Sequence, residues 1–135
     1  KKNLSLLSSK SDCGMVCSKI MLWDIGSYWP EDTYLLKEEL NFLKFKSQYK
    51  HFCAGTMFLA RANIFKFLQN KEINEQCFTR SSHTKETGTR AHTYERIFCI
   101  AVDEFGYKIY TNKNKKEYIF KNKKNLPKKL LSIFN

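Results

Sequence analysis

The chain has 135 residues, of which 42% are hydrophobic and 15% aromatic, and its formal net charge at pH 7 is +11. That length suits one compact domain, and the aromatic content is high enough to build a core, which argues against global disorder. Five Gly and two Pro are too few for a collagen-like chain or a linker. No apolar run approaches the roughly 20 residues that span a bilayer, and the first residues lack the apolar core of a signal peptide.

The positive charge is concentrated near the C-terminus, where nine Lys and one Glu lie between Lys108 and Lys129. Lys outnumbers Arg 20 to 4, whereas proteins that read DNA bases favour the planar fork of Arg. We interpret residues 111–135 as a solvated Lys/Asn-rich tail. Contact with an anionic membrane surface is one alternative. Weak, salt-dependent phosphate binding is another, and we expect no specific nucleic-acid partner.

The cysteines stand at wide and irregular spacings: Cys13, Cys17, Cys53, Cys77 and Cys99. An odd count without a CxxC pair argues against a disulfide framework and for a reducing compartment. The spacing matches no standard zinc pattern, so we expect no metal site. Because Cys53 and Cys99 stand among apolar residues, we expect both to pack in the core.

In the first half of the chain, the apolar pattern predicts short elements of both kinds. The end of a helix is predicted over residues 4–9 and a strand over 14–17. An aromatic loop that packs on the core is predicted over 21–30. A helix should begin at residues 31–33 and run to about residue 45, because Leu residues recur there at helical spacing.

The second half of the chain contains the most regular patterns. Residues 52–60 form a nearly continuous apolar run that predicts one buried strand. A short amphipathic helix over 62–69 and an irregular loop over 72–87 should follow. The clearest helix spans 89–105; Gly106 should end it, and Asp103 and Glu104 should point to solvent. One face of this helix should be apolar, formed by Ala91, Tyr94, Ile97, Phe98, Ala101, Val102 and Phe105. A strand over 107–110 completes an α/β arrangement.

The densest polar cluster surrounds the start of that long helix. His92 shares a helix face with Glu95 and Arg96, because the residues are three and four positions apart. Glu86 precedes the helix, where a carboxylate can act as a general base, and the helix start near Thr89 favours an anion such as a nucleotide phosphate. The structural alternative is a capped and solvated helix end. No GxGxxG, P-loop, GxSxG, HExxH or DxD pattern accompanies the cluster.

Two segments of the sequence together resemble one known family. FCAGTMFLAR, residues 52–61, is similar to the pattern F-x-A-G-[ST]-M-F-W-A-R, and GTRAHTYER, residues 88–96, is similar to D-G-T-x-A-H-x-x-E-R. Both patterns belong to the rhamnan synthesis protein F family, bacterial proteins of cell-surface polysaccharide assembly. The resemblance spans roughly residues 50–107. It implies a partial GT-A-like (Rossmann-like) glycosyltransferase domain over residues 1–110, corresponding to the C-terminal half of that domain, with the basic tail over 111–135.

The resemblance also implies a chemistry, the transfer of a sugar from a nucleotide sugar such as dTDP-rhamnose to a glycan acceptor. Thr87 stands where the family has Asp, so Glu86, the nearest carboxylate, is the predicted catalytic base. No cofactor is expected in this chain; Mg²⁺ or Mn²⁺ would accompany the nucleotide sugar in full-length members. The residues that match substrate-binding positions are Gly55, Thr56, Arg61, Gly88, Thr89, His92, Glu95 and Arg96.

A second function is compatible with the same sequence. The nucleotide-binding half that would precede this region is missing from the chain, and the family's Asp is replaced. The alternative is therefore a truncated, non-catalytic remnant, an interaction module that binds anionic membrane or another protein through its basic tail. Under either reading we expect a cytoplasmic protein, and under the second it contacts the inner face of the membrane peripherally.

Overall fold

A computed structural model describes residues 2–28, 33–74, 78 and 90–112 of the chain. Within these ranges, helices and short strands alternate, which confirms the mixed α/β class. Short 3-10 helices accompany them, at Lys19–Met21, Ala54–Thr56 and Ala62–Gln69 among others. In chain order, the other elements are α1 (Lys2–Ser9), β1 (Cys13–Ser18), β2 (Leu22–Asp24), α2 (Ile25–Tyr28), α3 (Thr33–Leu43), β3 (His51–Cys53), β4 (Phe58–Ala60), α4 (Arg90–Glu104) and β5 (Lys108–Asn112).

These strands form two small sheets. In the larger sheet, β1 lies between β4 and β5, and Val16 is opposite Leu59 on antiparallel β4 and opposite Tyr110 on parallel β5. In the smaller sheet, β2 and β3 are antiparallel, with Trp23 opposite Phe52. β1 is buried along almost its whole length, as its apolar run predicts for a central strand.

The prediction of one continuous strand over residues 52–60 is wrong. The run instead forms β3 and β4, which belong to different sheets and are joined by the Ala54–Thr56 turn. Gly55 and Thr56 both have left-handed backbone, with φ of 74° and 52°, and such a conformation cannot continue a strand. The run is also not buried throughout, since Met57 is 69% exposed.

Helix α4 supplies much of the core, because its apolar residues recur at helical spacing. Ala91 and Phe105, which were predicted on its apolar face, are exposed. The helix ends as predicted at Gly106, whose φ is 75°. The amide of Gly106 bonds to the carbonyl of Asp103, and the Tyr107 amide bonds to that of Val102, the Schellman pattern. The predicted apolar face is confirmed at Tyr94, Ile97, Ala101 and Val102, which are buried.

The two acidic residues at the end of α4 bind a distant loop. Asp103 is exposed, as predicted, whereas Glu104 is half-buried. Glu104 Oε2 accepts the backbone N–H groups of Lys46 and Ser47, each at 2.7 Å. Asp103 accepts the Ser47 hydroxyl at 2.5 Å. These bonds anchor the segment that leads into β3, so the end of α4 helps to position that strand.

Several other predicted boundaries differ from the structure. The segment predicted as a packed loop over 21–30 contains β2 and α2 in its described part. Helix α3 ends at Leu43, earlier than predicted, because Lys44 has a left-handed φ of 58°. The predicted helix over 62–69 is confirmed in place but is a 3-10 helix with a kink at Phe65.

Two regions of the prediction cannot be compared. Most of the predicted loop over 72–87 lies outside the described residues, and so do residues 113–135 of the tail. In the described ranges, no helix has both the length and the apolar character that crossing a membrane requires.

Candidate functional site

The two segments that carry the family resemblance meet where β3 faces α4. The backbone N–H of Gly55, just after β3, donates a hydrogen bond to Oε1 of Glu95 in the second turn of α4. The guanidinium carbon of Arg96 lies 5.2 Å from the centre of the Phe52 ring in β3, a cation–π distance. The structure thus brings together residues that are about 40 positions apart in the sequence.

Glu95 and Arg96 are neighbours in sequence but have different surroundings. Arg96 is only 1% exposed, and its Nη1 donates to the carbonyl of His92 one helical turn earlier at 2.8 Å. Glu95 is half-buried and turns towards the β3–β4 turn. Arg96 therefore supports the packing of α4 on β3, whereas Glu95 holds the turn.

The turn that Glu95 holds is exposed and conformationally unusual. Thr56 is β-branched, and its φ of 52° lies in a region that such residues rarely adopt. Inside the turn, the Thr56 hydroxyl donates to the Gly55 carbonyl at 2.8 Å. Across it, the Cys53 thiol donates to the Met57 carbonyl at 3.6 Å. Strained backbone that surrounding contacts hold in place is common in ligand-binding turns.

Arg61 is held by backbone groups of the N-terminal region. Its Nε donates to the carbonyl of Cys13 at 2.7 Å, and its Nη2 donates to those of Leu7 at 2.8 Å and Lys10 at 3.1 Å. The guanidinium also lies 5.9 Å from the centre of the Tyr107 ring. The structure therefore gives Arg61 a role in fixing the end of α1, and its predicted encounter with a negative ligand group stays a prediction.

Three of the predicted site residues, Glu86, Gly88 and Thr89, lie outside the described residues. The described helix α4 begins at the next residue, Arg90. His92 is half-buried within its first turn. In the sequence, the predicted catalytic carboxylate and two of the predicted substrate-binding residues thus immediately precede the part of α4 that is anchored to β3.

No pattern in the sequence indicates a role for Glu39 near this site. Glu39 lies on α3, and its carboxylate is buried, since only 5% of the residue is exposed. It forms an ion pair with Arg90 and accepts the Tyr94 hydroxyl at 3.0 Å. Glu39 therefore fixes the beginning of α4 against α3. Its partners lie more than 50 positions away along the chain, so no local pattern could have identified it.

A divalent metal, which the family implies for the nucleotide sugar, has no evident ligand set in the described part of the chain. No three His, Cys, Asp or Glu side chains there converge in a way that could hold a metal ion. Moreover, one oxygen of the Glu95 carboxylate already accepts the Gly55 amide. The described residues therefore do not fit Mg²⁺ or Mn²⁺.

Comparisons with protein-family models, with curated proteins and with solved structures gave no match to this chain.

Proposed function

We propose that this chain is a glycosyltransferase-like protein of rhamnose-containing surface-polysaccharide synthesis, with a partial GT-A-like fold. It would transfer a sugar from a nucleotide sugar to a glycan acceptor. The observation that carries the proposal is the hydrogen bond between Gly55 and Glu95. These residues belong to the two separate sequence patterns of the family resemblance, and their contact is what a shared site would require.

In this proposal the exposed turn at Gly55 and Thr56 faces the donor sugar or the acceptor. Glu95 keeps the turn in its left-handed conformation, and Arg96 keeps α4 against β3. Since Arg96 is buried against the Phe52 ring, it acts as a positioning residue. His92, half-buried in the first turn of α4, would hydrogen-bond a sugar hydroxyl.

The proposed chemistry needs one base. The acceptor hydroxyl oxygen attacks the anomeric carbon while the bond from that carbon to the donor phosphate breaks, and a carboxylate accepts the hydroxyl proton. We assign this role to Glu86. Gly88 and Thr89, which precede the described helix in the sequence, would bind the departing phosphate, since backbone N–H groups at a helix N-terminus favour negative charge.

The test begins with donor binding. The melting temperature of the full chain is measured during titration with dTDP-rhamnose, with other nucleotide sugars and with dTDP alone. A ligand that binds only the folded state raises the melting temperature saturably. We expect such a rise with one nucleotide sugar, and we expect Glu95→Ala to weaken it. The exposed α3 variant Glu38→Gln, as a matched loss of one carboxylate, should behave like the wild type.

A transfer assay then separates catalysis from binding. Glu86→Gln should abolish transfer to a glycan acceptor while leaving the donor-dependent rise in melting temperature intact. Transfer at the wild-type rate would exclude Glu86 as the base. A cooperative melt that responds to no nucleotide sugar would overturn the proposal and favour the non-catalytic alternative.

The alternative makes its own prediction. The Lys-rich segment should bind vesicles that contain phosphatidylglycerol, and added salt should weaken this binding because it screens the charges. Truncation after Asn112 should abolish the binding. The cut belongs there because β5 continues to Asn112, two residues beyond the predicted end of the strand.

A further inference from the structure

Three phenylalanine rings meet at the surface where α4 ends. The Phe45 ring lies between the other two, with its centre 5.4 Å from that of Phe67 and 5.8 Å from that of Phe105, edge to face in both pairs. Phe105 directly follows α4 and is 48% exposed, and Leu68, the residue after Phe67, is 36% exposed. We call these four residues the apolar patch. Contiguous exposed apolar side chains of this kind mark surfaces that another molecule covers.

The hydrogen bonds at the end of α4 hold the patch in place. Glu104 accepts the backbone N–H groups of Lys46 and Ser47. Phe105 and Phe45 are the sequence neighbours of these bonded residues, so the bonds keep the two rings side by side. Phe45 also packs against the buried core. Because the fold already fixes this surface, covering it would cost little conformational entropy.

The segments that contribute the patch are basic. Residues 44–50 and 62–71 contain no acidic residue, and they carry five exposed lysines: Lys44, Lys46, Lys50, Lys66 and Lys71. Two carboxylates, those of Asp103 and Glu104, precede Phe105 in the sequence. Both already accept hydrogen bonds from residues 46 and 47, and Glu104 is half-buried. The segments around the patch therefore carry an excess of positive charge.

Exposed phenyl rings among lysines fit the chemistry of an anionic lipid surface. At such a surface, apolar side chains enter the boundary between headgroups and acyl chains. Lysine side chains extend their apolar stems along the same boundary and keep their ammonium groups at the lipid phosphates. The core of a protein–protein interface, in contrast, is depleted in lysine. The five lysines therefore favour a lipid surface over a protein partner.

We propose that the apolar patch is a membrane-contact surface of the folded domain. Phe105 and Leu68 enter the interface of a bilayer that contains anionic lipid, and the surrounding lysines bind its phosphates. This surface is separate from the Lys-rich tail, and the proposal does not depend on glycosyl transfer. It assigns the folded domain an apolar contribution to membrane binding, which screening by salt does not remove as it removes the attraction between charges.

The test is co-sedimentation of the full chain with vesicles of phosphatidylglycerol and phosphatidylcholine at a series of salt concentrations. Binding of the wild type should fall as salt rises, and vesicles of phosphatidylcholine alone should bind less. Phe105→Ser should lower the partition constant by about fivefold at every salt concentration, because the lost contribution is apolar rather than ionic. Phe105→Trp should bind at least as well as the wild type, since Trp favours the membrane interface.

Further variants separate the patch from general effects. Leu68→Ser should also weaken binding at every salt concentration, and it keeps the test decisive if Phe105→Ser fails to fold. Tyr34→Ser is the matched control, because Tyr34 is a 67% exposed aromatic residue on α3, outside the patch. This control should bind like the wild type.

Fluorescence locates the contact. Lipids that are brominated on their acyl chains quench only tryptophans that enter the bilayer. Phe105→Trp should add a quenched signal to that of the two native tryptophans, whereas Tyr34→Trp should add an unquenched one. Equal quenching of the two added tryptophans would overturn the proposal.

Three other results would also refute the membrane surface. The first is a wild type that does not bind the anionic vesicles. The second is unchanged binding in folded Phe105→Ser or Leu68→Ser, which would leave the tail as the source of binding. The third is a concentration-dependent dimer of the wild type that both variants abolish, because a second copy of the chain would then cover the patch.

Discussion

The Gly55 amide donates a hydrogen bond to the Glu95 carboxylate and so ties the β3–β4 turn to α4. The bond acts on an unusual backbone, because Gly55 and the following Thr56 both have positive φ. A carboxylate acceptor makes such a bond stronger than one between neutral groups. The charge of Glu95 therefore stabilises a turn conformation that the residues of the turn would not favour by themselves.

Removing this carboxylate should cost stability. Glu95→Ala should lower the free energy of unfolding by about 1–2 kcal/mol, near the low end for a charged hydrogen bond, because water can reach the exposed Gly55 amide. Glu95→Gln keeps an acceptor oxygen and should cost roughly half as much. Urea unfolding measures both values. The exposed variant Glu38→Ala serves as the control, and an unchanged midpoint for Glu95→Ala would contradict this role.

Arg61 should be needed for α1 to stay attached to the sheet. Its side chain donates to the carbonyls of Leu7, Lys10 and Cys13, and carbonyls at the end of a helix have no partner within the helix. Lys cannot reproduce this geometry, since it lacks the planar fork. Arg61→Lys should therefore destabilise the chain by about 1–3 kcal/mol.

Hydrogen exchange tests where the effect of Arg61→Lys arises. The amides of α1 should lose protection, while those of α4 keep most of theirs. Lys66→Gln removes an exposed cation from the 3-10 helix Ala62–Gln69 and should leave the protection of the α1 amides unchanged. Equal protection of α1 in the Arg61→Lys variant and the wild type would show that the three hydrogen bonds do not hold this helix.

The elements that the sequence predicts best are those with local causes. Apolar residues at helical spacing predict α4. Gly106 predicts its end, because helices commonly end at a glycine with left-handed backbone, and Gly106 has such a conformation. The short apolar run over residues 14–17 likewise predicts β1. In these cases neighbouring residues determine the structure, so no knowledge of distant contacts was needed.

Long-range contacts explain what the sequence did not predict. The break at Gly55 lies within an apolar run, and the pattern does not reveal that its two halves join different sheets. Glu39 is buried because Arg90 and Tyr94 come to it from α4. The Arg61 side chain binds carbonyls about 50 positions away in the sequence, a contact that its local sequence does not indicate. Such partners become evident only when the chain is folded.

Among the four glycines that the structure describes, Gly14 should be the least tolerant of a side chain. A Cβ at this position would lie 2.5 Å from Tyr107 Cβ, 2.8 Å from Ile64 Cδ1 and 2.9 Å from Val102 Cγ1. Side chains in a packed core cannot yield without strain, so Gly14→Ala should cost about 2–3 kcal/mol. The measurement is the urea midpoint, converted with the slope of the unfolding transition.

Gly106→Ala is the matched control for Gly14→Ala. A Cβ at Gly106 meets no atom within 4 Å, but the φ of 75° remains unfavourable for Ala. The control variant should therefore lose about 1 kcal/mol for its backbone alone. If Gly14→Ala were no more harmful than Gly106→Ala, the close packing of β1 against Tyr107 and Ile64 would be refuted.

The surface contacts of Asp12 should make stability depend on pH in a defined direction. Asp12 binds the Lys108 ammonium and the Tyr110 hydroxyl, each at 3.0 Å. The bond to Lys108 and then that to Tyr110 lower the pKa of Asp12 below its usual 3.8, and Asp12 raises the pKa of Lys108 above 10.5. The contribution of Asp12 to the free energy of unfolding is thus present above the pKa that Asp12 has in the unfolded chain. It is lost as the pH falls through the lower pKa of the folded protein.

Asp12→Asn tests this linkage. The wild type should melt at a higher temperature than the variant at neutral pH, and the difference should vanish as acid protonates Asp12. It should also fade at strongly alkaline pH, because the stabilisation of Lys108 is present below pH 10.5 and is lost as pH rises through its raised folded pKa. Since the groups are exposed, molar salt should reduce the neutral-pH difference. If the difference in melting temperature between the two proteins stayed constant from acid to neutral pH, Asp12 would not stabilise the junction of β1 and β5.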